Sequence, residues 1–269
     1  MSDLTQVLER TLIIVAHPDD EAVTCAALMQ RMLEPHVLFC TDGAPLDPYF
    51  WSRHGSREAY SMLRQNEARL ALSYVGVSNV EFLKIRSGDY IIDQQLFERL
   101  PEAVSALDEV IGRVRPQALL TLAYEGTHPD HDSCNFITSV VAREHSLSVW
   151  EMPVYKLFHN DNREFRTFIP RPEPAISLQP TADEVRRKHQ ALAAYVSQGN
   201  FLLRFDSAEE TFRPLPEYDY AQLPHDGLLN YEAWQWPMTG KQVCAAFEAY
   251  LSYHSALNRA RARCGTKLG

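Results

Sequence analysis

Two short segments hold most of the residues whose types could do chemistry together. The first is Ala16-His17-Pro18-Asp19-Asp20-Glu21, and the second is Thr127-His128-Pro129-Asp130-His131-Asp132. In the first, an imidazole is followed three residues later by a carboxylate, a spacing that can turn two ligands toward one point. An imidazole from the second segment would complete a His, Asp, His set with open positions, suited to zinc or another divalent first-row metal. Asp19 lies between the two ligands of the first segment, where a carboxylate can take a proton from water as it attacks a carbonyl. The run Asp19, Asp20, Glu21 has a second reading, as an N-cap with first-turn acids of a helix. That reading suits Glu21 better than the whole run, because three acids behind an apolar strand repel one another unless a cation sits among them. His128 and His131 also have an alternative, as a pair of ordinary loop histidines.

Elements of the right kind must bring these segments together. Residues 12–16 are a continuous apolar run, as expected of a parallel strand covered on both faces. Further strands are predicted over 36–40, 80–84, 118–123 and 154–159. Helices are predicted over 21–33, 58–74, 91–115, 133–145, 181–198 and 243–263, with Pro101 as a first-turn residue or a kink. The alternation predicts an α/β fold, a three-layer Rossmann-like sandwich with a mostly parallel sheet. Each motif directly follows a strand, the first or the fourth, where such sheets place their ligands. The loop 42–56 carries Tyr49, Phe50 and Trp51 and is long enough for a lid or binding loop.

From residue 161 the composition changes. Eight of the 16 prolines lie between 161 and 240, together with Tyr218, Tyr220, Tyr231, Trp234 and Trp236. Such aromatic content argues for a packed segment rather than a disordered one. Residues 161–269 are therefore expected to form an aromatic, proline-rich extension that walls a pocket, within one domain spanning 1–269.

Composition removes several classes. The chain has 269 residues, 45% hydrophobic and 23% charged, which is ordinary globular usage. Its 26 Lys and Arg against 35 Asp and Glu leave a net charge of −9, which disfavours nucleic acid as a partner. No apolar run approaches the roughly 20 residues of a membrane span, and the first residues carry no signal-peptide core. Cys25, Cys40, Cys134, Cys244 and Cys264 form no CxxC pair, which fits a reducing, cytoplasmic setting. The sequence lacks GxGxxG after its first strand, GxxxxGK[ST], GxSxG and HExxH. A dinucleotide, P-loop, serine-hydrolase or zincin site has no support.

With both motifs on the page, the sequence resembles the PIG-L/LmbE superfamily of zinc-dependent deacetylases. The family's AHPDDE stands at residues 16–21 and its HPDH at 128–131. Arg64, Glu67, Ala71 and Gly76, the Thr41-Asp42-Gly43 turn, and Lys188, Ala191, Ser197 and Gln198 match further family positions. The resemblance implies a Rossmann-like enzyme removing acetyl groups from N-acetylglucosamine-containing conjugates. It implies His17, Asp20 and His131 as ligands of one divalent metal, zinc foremost, with iron, cobalt or manganese as alternatives. Asp19 would be the general base. His128 would stabilise the oxyanion or protonate the amine, and Asp130 would orient His128. Arg64, Asp42, Tyr124 and Tyr195 would contact the substrate, a small acetylated amine or amino-sugar conjugate. Here Tyr124 stands four residues before His128, and Tyr195 stands where relatives carry a His. The segment 216–234 has no counterpart in the mycothiol or bacillithiol enzymes, which argues against either thiol pathway.

Three rivals remain at this stage. A metallohydrolase acting on a non-sugar amide, carbamate or ester would use the same residues. A non-catalytic carbohydrate-binding relative would have lost the base or the ligands, yet all are present. A nucleotide-dependent enzyme would need a phosphate cradle. The sequence carries no stripe that identifies an oligomeric interface.

Overall fold

The computed structural model describes residues 4–157, 163–205 and 209–265. A short helix α1 (Thr5–Leu8) leads into β1 (Thr11–Val15), whose five residues are all buried. The single helix expected over 21–33 is two pieces, α2 (Asp20–Thr24) and α3 (Ala26–Met29). The break falls at Cys25, with φ −142° and ψ 20°. It is tolerated because the Glu210 carboxylate accepts the N–H groups of Ala27 (2.8 Å) and Leu28 (2.9 Å), donors that a helix start leaves unsatisfied. β2 (His36–Phe39) follows. The loop 42–56 contains α4 (Pro48–Trp51) and a 3-10 turn, and Ser56 then caps α5 (Arg57–Tyr74). β3 is Asn79–Phe82.

The helix expected over 91–115 is shorter than its apolar pattern suggested. Only a 3-10 turn, Leu96–Glu98, precedes α6 (Leu100–Val114), which has Pro101 in its first turn. The N–H groups of Gln94 (2.6 Å) and Leu96 (3.0 Å) donate to the Asp130 carboxylate instead of to helix carbonyls. β4 (Ala118–Leu122) is followed by α7 (Pro129–His145), which starts four residues earlier than expected. His128 caps it through its ring, and Pro129 occupies the first turn, where a missing N–H costs nothing. His131 therefore stands on a helix, not in a loop.

β5 (Ser148–Met152) was not anticipated, because the charged Glu151 interrupts its apolar pattern. Glu151 is buried against Arg213 (2.7 Å) and Tyr218 (2.8 Å). The described part of the strand expected at 154–159 is β6 (Tyr155–Leu157), with residues 158 and 159 outside the described residues. It pairs with β7 (Arg163–Phe165) in a separate two-stranded sheet. Beyond it lie β8 (Ile176–Leu178), α8 (Ala182–Ala194), a 3-10 stretch, β9 (Glu210–Pro214), α9 (Asn230–Ala233) and α10 (Gly240–Gly265). α8 begins at a Thr181/Glu184 capping box and ends four residues short of the expected 198.

The main sheet runs β3-β2-β1-β4-β5-β9-β8, with the first five strands parallel and the last two antiparallel additions. α3, α5 and α8 pack together, as do α6, α7 and α10, so helices cover both faces of a mostly parallel sheet. The strand order reverses between β1 and β4, which lie side by side with Leu12 opposite Leu119 and Ile14 opposite Thr121. Both chemical motifs therefore emerge next to each other at the switch point.

Candidate metal and catalytic site

The backbone after β1 is bent sharply to start the site. Asp19 adopts φ +120°, a conformation L-residues rarely take, and such strain persists only where the surroundings impose it. Three contacts impose it. The Arg64 guanidinium donates to the Pro18 carbonyl and to Asp19 Oδ2 (2.8 Å), while Glu21 Oε2 accepts the Asp19 N–H (3.2 Å). Arg64 also donates to the Gly43 carbonyl (2.7 Å), tying the turn after β2 to the turn after β1. Gly43 is required there: its φ is +67°, and an added Cβ would stand 2.7 Å from Pro18 Cδ.

This bend directs His17 and Asp20 inward, where they meet His131 from the first turn of α7. His17 Nδ1 lies 3.6 Å from Asp20 Oδ2, His131 Nε2 lies 3.1 Å from Asp20 Oδ1, and the two ring nitrogens are 3.3 Å apart. Ligands about 2.05 Å from a tetrahedral ion are separated by roughly 3.3 Å, so this triangle has the dimensions of a zinc-type site. All three residues are buried.

A second group of donors lies beside it: His17 Nε2, Asp93, His128 and Asp130. Tautomers separate the two groups. His128 Nδ1 accepts the N–H of Asp130 (3.1 Å), so the neutral ring carries its proton on Nε2, 3.4 Å from Asp93 Oδ1. His17 Nε2 donates to Asp130 Oδ2 (3.1 Å) and lies 3.2 Å from Asp93 Oδ1, so in the neutral ring Nδ1 is left as a lone pair. The second group is thus two N–H donors aimed at two carboxylates. The first presents lone pairs to a common point and is the set that fits a cation. Asp130 behind His17 is the carboxylate support that fixes the tautomer of a metal-ligating histidine.

Burial dominates the electrostatics. It pushes the Asp19 carboxyl up to about 7, against the opposing pull of Arg64. It also raises Asp20, but His131 and His17 outweigh it and bring that carboxyl down to about 2. Glu21 is pushed by burial up to about 8, although it accepts the Tyr195 hydroxyl at 2.5 Å. Burial and the neighbouring His17 lower the His128 imidazole. Burial opposes ionisation of Asp93, yet His17 and His128 hold its carboxyl well below the usual range.

The positions expected to act together do not all meet. His17, Asp19, Asp20, Arg64, His128, Asp130 and His131 converge. Asp130 differs in detail, because its side chain faces His17 and the backbone of 94–96, and Asp93 faces His128 Nε2 instead. Asp42 is a buried hub rather than a surface contact. It accepts Arg57 at 2.5 Å, the Ala44 N–H at 3.1 Å and the Asp93 N–H at 3.3 Å. Tyr124 donates to the Gln222 carbonyl (2.7 Å) and packs on Tyr218, Tyr220 and Phe247, away from the ligand triangle. Tyr195 is buried behind Glu21 and has no open face for a substrate. Glu67 accepts the Ser197 N–H (2.8 Å) and hydroxyl (2.6 Å), so those matched positions dock α5 to the extension.

One residue was missed. Asp93 follows the apolar pair Ile91-Ile92, which reads as the opening of a helix; a broken periodicity after Gly88 was the available signal. Trp236, expected among the aromatics that wall a pocket, lies with its ring centroid 4.8 Å from that of His128, a partner that no local signal names.

Fold and site together define an α/β protein with a buried His, Asp, His group at its switch point that could hold a metal ion. Residues 12–142 match the PIG-L family model, described as GlcNAc-PI de-N-acetylase. It is similar to the probable N-acetyl-alpha-D-glucosaminyl L-malate deacetylase 2 of Bacillus subtilis (strain 168), at 29% identity over 136 residues, covering 47% of this chain and 57% of that one. It is also similar to the 1D-myo-inositol 2-acetamido-2-deoxy-alpha-D-glucopyranoside deacetylase of Rhodococcus erythropolis (strain PR4 / NBRC 100887), at 31% over 157 residues, covering 51% and 53%. The chain thus spans little more than half the length of these curated relatives. The solved A40926 pseudoaglycone deacetylase shares the fold, with a TM-score of 0.60 at 18% identity over 76% of this chain and 96% of that one.

Proposed function

We propose that this protein is a metal-dependent hydrolase that removes the acetyl group of an N-acetylated amino sugar or its conjugate. The observation that carries this reading is the His17 Nδ1, Asp20, His131 Nε2 triangle with the strained Asp19 beside it. A divalent ion held by those three residues, zinc foremost, supplies Lewis acidity toward the amide carbonyl and the attacking water. Asp19 is anchored to Arg64 through Oδ2, which leaves Oδ1 to receive the proton of that water. Burial raises its carboxyl in the metal-free protein, and a bound cation would oppose that rise and keep the carboxylate ionised to accept the proton. His128 Nε2–H, only loosely held by Asp93 Oδ1 at 3.4 Å, turns to the oxygen on which charge develops, and the N–H at the start of α7 keeps the ring in that tautomer. Arg64 and Asp93, 3.9 Å apart, offer a donor and an acceptor to sugar hydroxyls.

The names of the curated relatives support an N-acetylglucosaminyl substrate. The non-sugar metallohydrolase uses the same residues and differs only in the pocket. Among the described residues, no helix is long and apolar enough to cross a membrane. The buried Cys25, Cys40, Cys134 and Cys244 form no disulfide, which supports a cytoplasmic setting. Of the extension expected over 161–269, residues 234–236 wall the site beside His128, while β8, β9 and α8 complete the sheet and its helical layer.

The test is acetate release by protein loaded with one equivalent of zinc from a panel of N-acetylated sugars and simple amides, beside Asp19→Asn. The expected result is release from a sugar amide, with the variant keeping its metal and losing about 100-fold or more in kcat. Release from simple amides alone, or an unimpaired variant, would overturn the reading.

A further inference from the structure

The C-terminal extension is fastened to the loop that carries His128. The Asn230 N–H donates to the Gly126 carbonyl (2.9 Å), and its side-chain amide donates to the Thr127 carbonyl (3.3 Å), immediately before His128. The fit is close enough that a Cβ on Gly126 would stand 2.6 Å from Leu229 Cδ2. From this anchor the chain turns once through α9 and reaches Gln235, whose φ of +58° is a left-handed conformation unfavourable for a side chain of that kind. Two backbone hydrogen bonds hold the turn, Gln235 N–H to Glu232 O (2.9 Å) and Trp236 N–H to Tyr231 O (3.0 Å). The strained turn sets Trp236 against His128, ring centroids 4.8 Å apart at 74°.

Trp236 begins a file of aromatic rings. Trp234 lies 5.0 Å from Trp236, and Tyr155 lies 6.2 Å from Trp234. The Arg163 guanidinium lies over both Trp234 (5.4 Å) and Tyr155 (5.7 Å), a cation on the faces of the two rings. Both tryptophans are half-buried, so each keeps surface for a ligand. His128 thus has a polar neighbour in Asp93 and an aromatic one in Trp236. A substrate reaching His128 meets hydrogen-bonding groups on one hand and flat apolar faces on the other.

We propose that Trp236 and Trp234 form a specificity-determining subsite for an aromatic or extended apolar group attached to the amino sugar. Trp236 receives the sugar's apolar face and Trp234 the attached group. The inference rests on the amino-sugar reading and deepens it. The selected substrate is an N-acetylhexosamine glycoside with an apolar aglycone, in preference to the free sugar or to a sugar linked to a polyol. Stacking on such rings contributes selectivity mainly through KM, because it is present before and during reaction.

The test compares the 4-nitrophenyl glycoside of N-acetylglucosamine with free N-acetylglucosamine, using zinc-loaded wild type, Trp234→Ala, Trp236→Ala and Trp236→Phe. Metal content is measured on each protein. Tryptophan fluorescence is titrated with the deacetylated 4-nitrophenyl glycoside as a binding readout independent of turnover. Wild type should favour the aryl glycoside by about tenfold in kcat/KM, and the ratio should fall to about two in Trp234→Ala through KM. Trp236→Phe should retain more of the preference than Trp236→Ala. No aryl preference in wild type, or one untouched in both alanine variants at full metal content, would overturn the subsite. If no acetate is released but the aryl glycoside binds wild type about tenfold tighter than Trp234→Ala, the subsite stands and the deacetylase reading falls.

Discussion

Arg64 Nη2 lies 2.8 Å from Asp19 Oδ2, and the same guanidinium reaches the carbonyls of Pro18 and Gly43. One buried cation therefore holds the candidate base, the strained peptide that precedes it and the turn after the neighbouring strand. The planar fork of arginine addresses these oxygens from two separate nitrogens, a spread that the single nitrogen of an ammonium lacks.

Arg64→Lys should leave the metal in place and lower kcat by about 100-fold, the size of effect that follows a misplacement of about 1 Å at a reacting group. Elemental analysis beside steady-state kinetics checks this. A variant with wild-type kcat would reduce Arg64 to a structural ion pair.

Metal loading should depend on pH with a defined sign. Burial lowers the His17 pKa, but Asp93, Asp130 and Asp20 outweigh it and raise the imidazole well above its ordinary value in the metal-free protein. Loading must then displace a proton, so apparent affinity rises with pH, by up to about tenfold per unit below that pKa. Zinc competition titrations at pH 6 and 7.5 measure it, and equal affinities would contradict the assignment of His17 as a ligand. His131→Ala and Asp20→Ala should each lose stoichiometric metal.

Glu125 gives stability the opposite slope from an ordinary paired carboxylate. Its Oε1 accepts the Val154 N–H (2.7 Å) and the Thr127 hydroxyl (3.2 Å), while its buried Oε2 has no hydrogen-bond partner. Burial raises its pKa to about 7 despite Lys156 nearby. The folded state then binds a proton that the unfolded state releases near pH 4.3, so stability falls as pH rises from about 4.3 to about 7 and levels off above. Glu125→Gln should remove that slope and gain on the order of 2 kcal/mol over wild type at pH 8. Urea unfolding at pH 5 and pH 8 decides it; parallel losses in both proteins would refute it.

Lys188 and Glu210 form a buried pair at 2.7 Å that braces the broken helix, since Lys188 also donates to the Val23 carbonyl (3.1 Å) and Glu210 caps α3. Removing one charge strands the other, so Lys188→Met should cost about 3–5 kcal/mol. The double change Lys188→Met/Glu210→Gln keeps a neutral acceptor for the α3 donors and should recover part of that loss. Thermal unfolding of the three proteins tests the coupling, and additive losses would argue against it.

The sequence by itself determined the two motifs, their place after β1 and β4, and the parallel α/β sheet, because contiguous apolar strands and local ligand spacing are written within a few residues. The capping box of Thr181 and Glu184 is likewise local, whereas Gly43 is required by the approach of Pro18 from the turn after the neighbouring strand. The sequence could not show β5, whose buried Glu151 is satisfied by Asn135, Arg213 and Tyr218 from 16, 62 and 67 residues away. It also could not show that residues 91–99 leave the helix, since the carboxylate drawing their N–H groups away is Asp130 of α7. Asp93 and Trp236 join the site for the same reason: their partners lie across the fold, His17 and His128 for the first and the His128 ring for the second. Tyr124 and Tyr195 show the converse. The family resemblance implied substrate contacts for both, but packing turned one toward Gln222 and the other behind Glu21. Tertiary structure decided these matters because a buried polar group goes where its hydrogen bonds can be satisfied, and those partners are set by the closed sheet and not by chain neighbours.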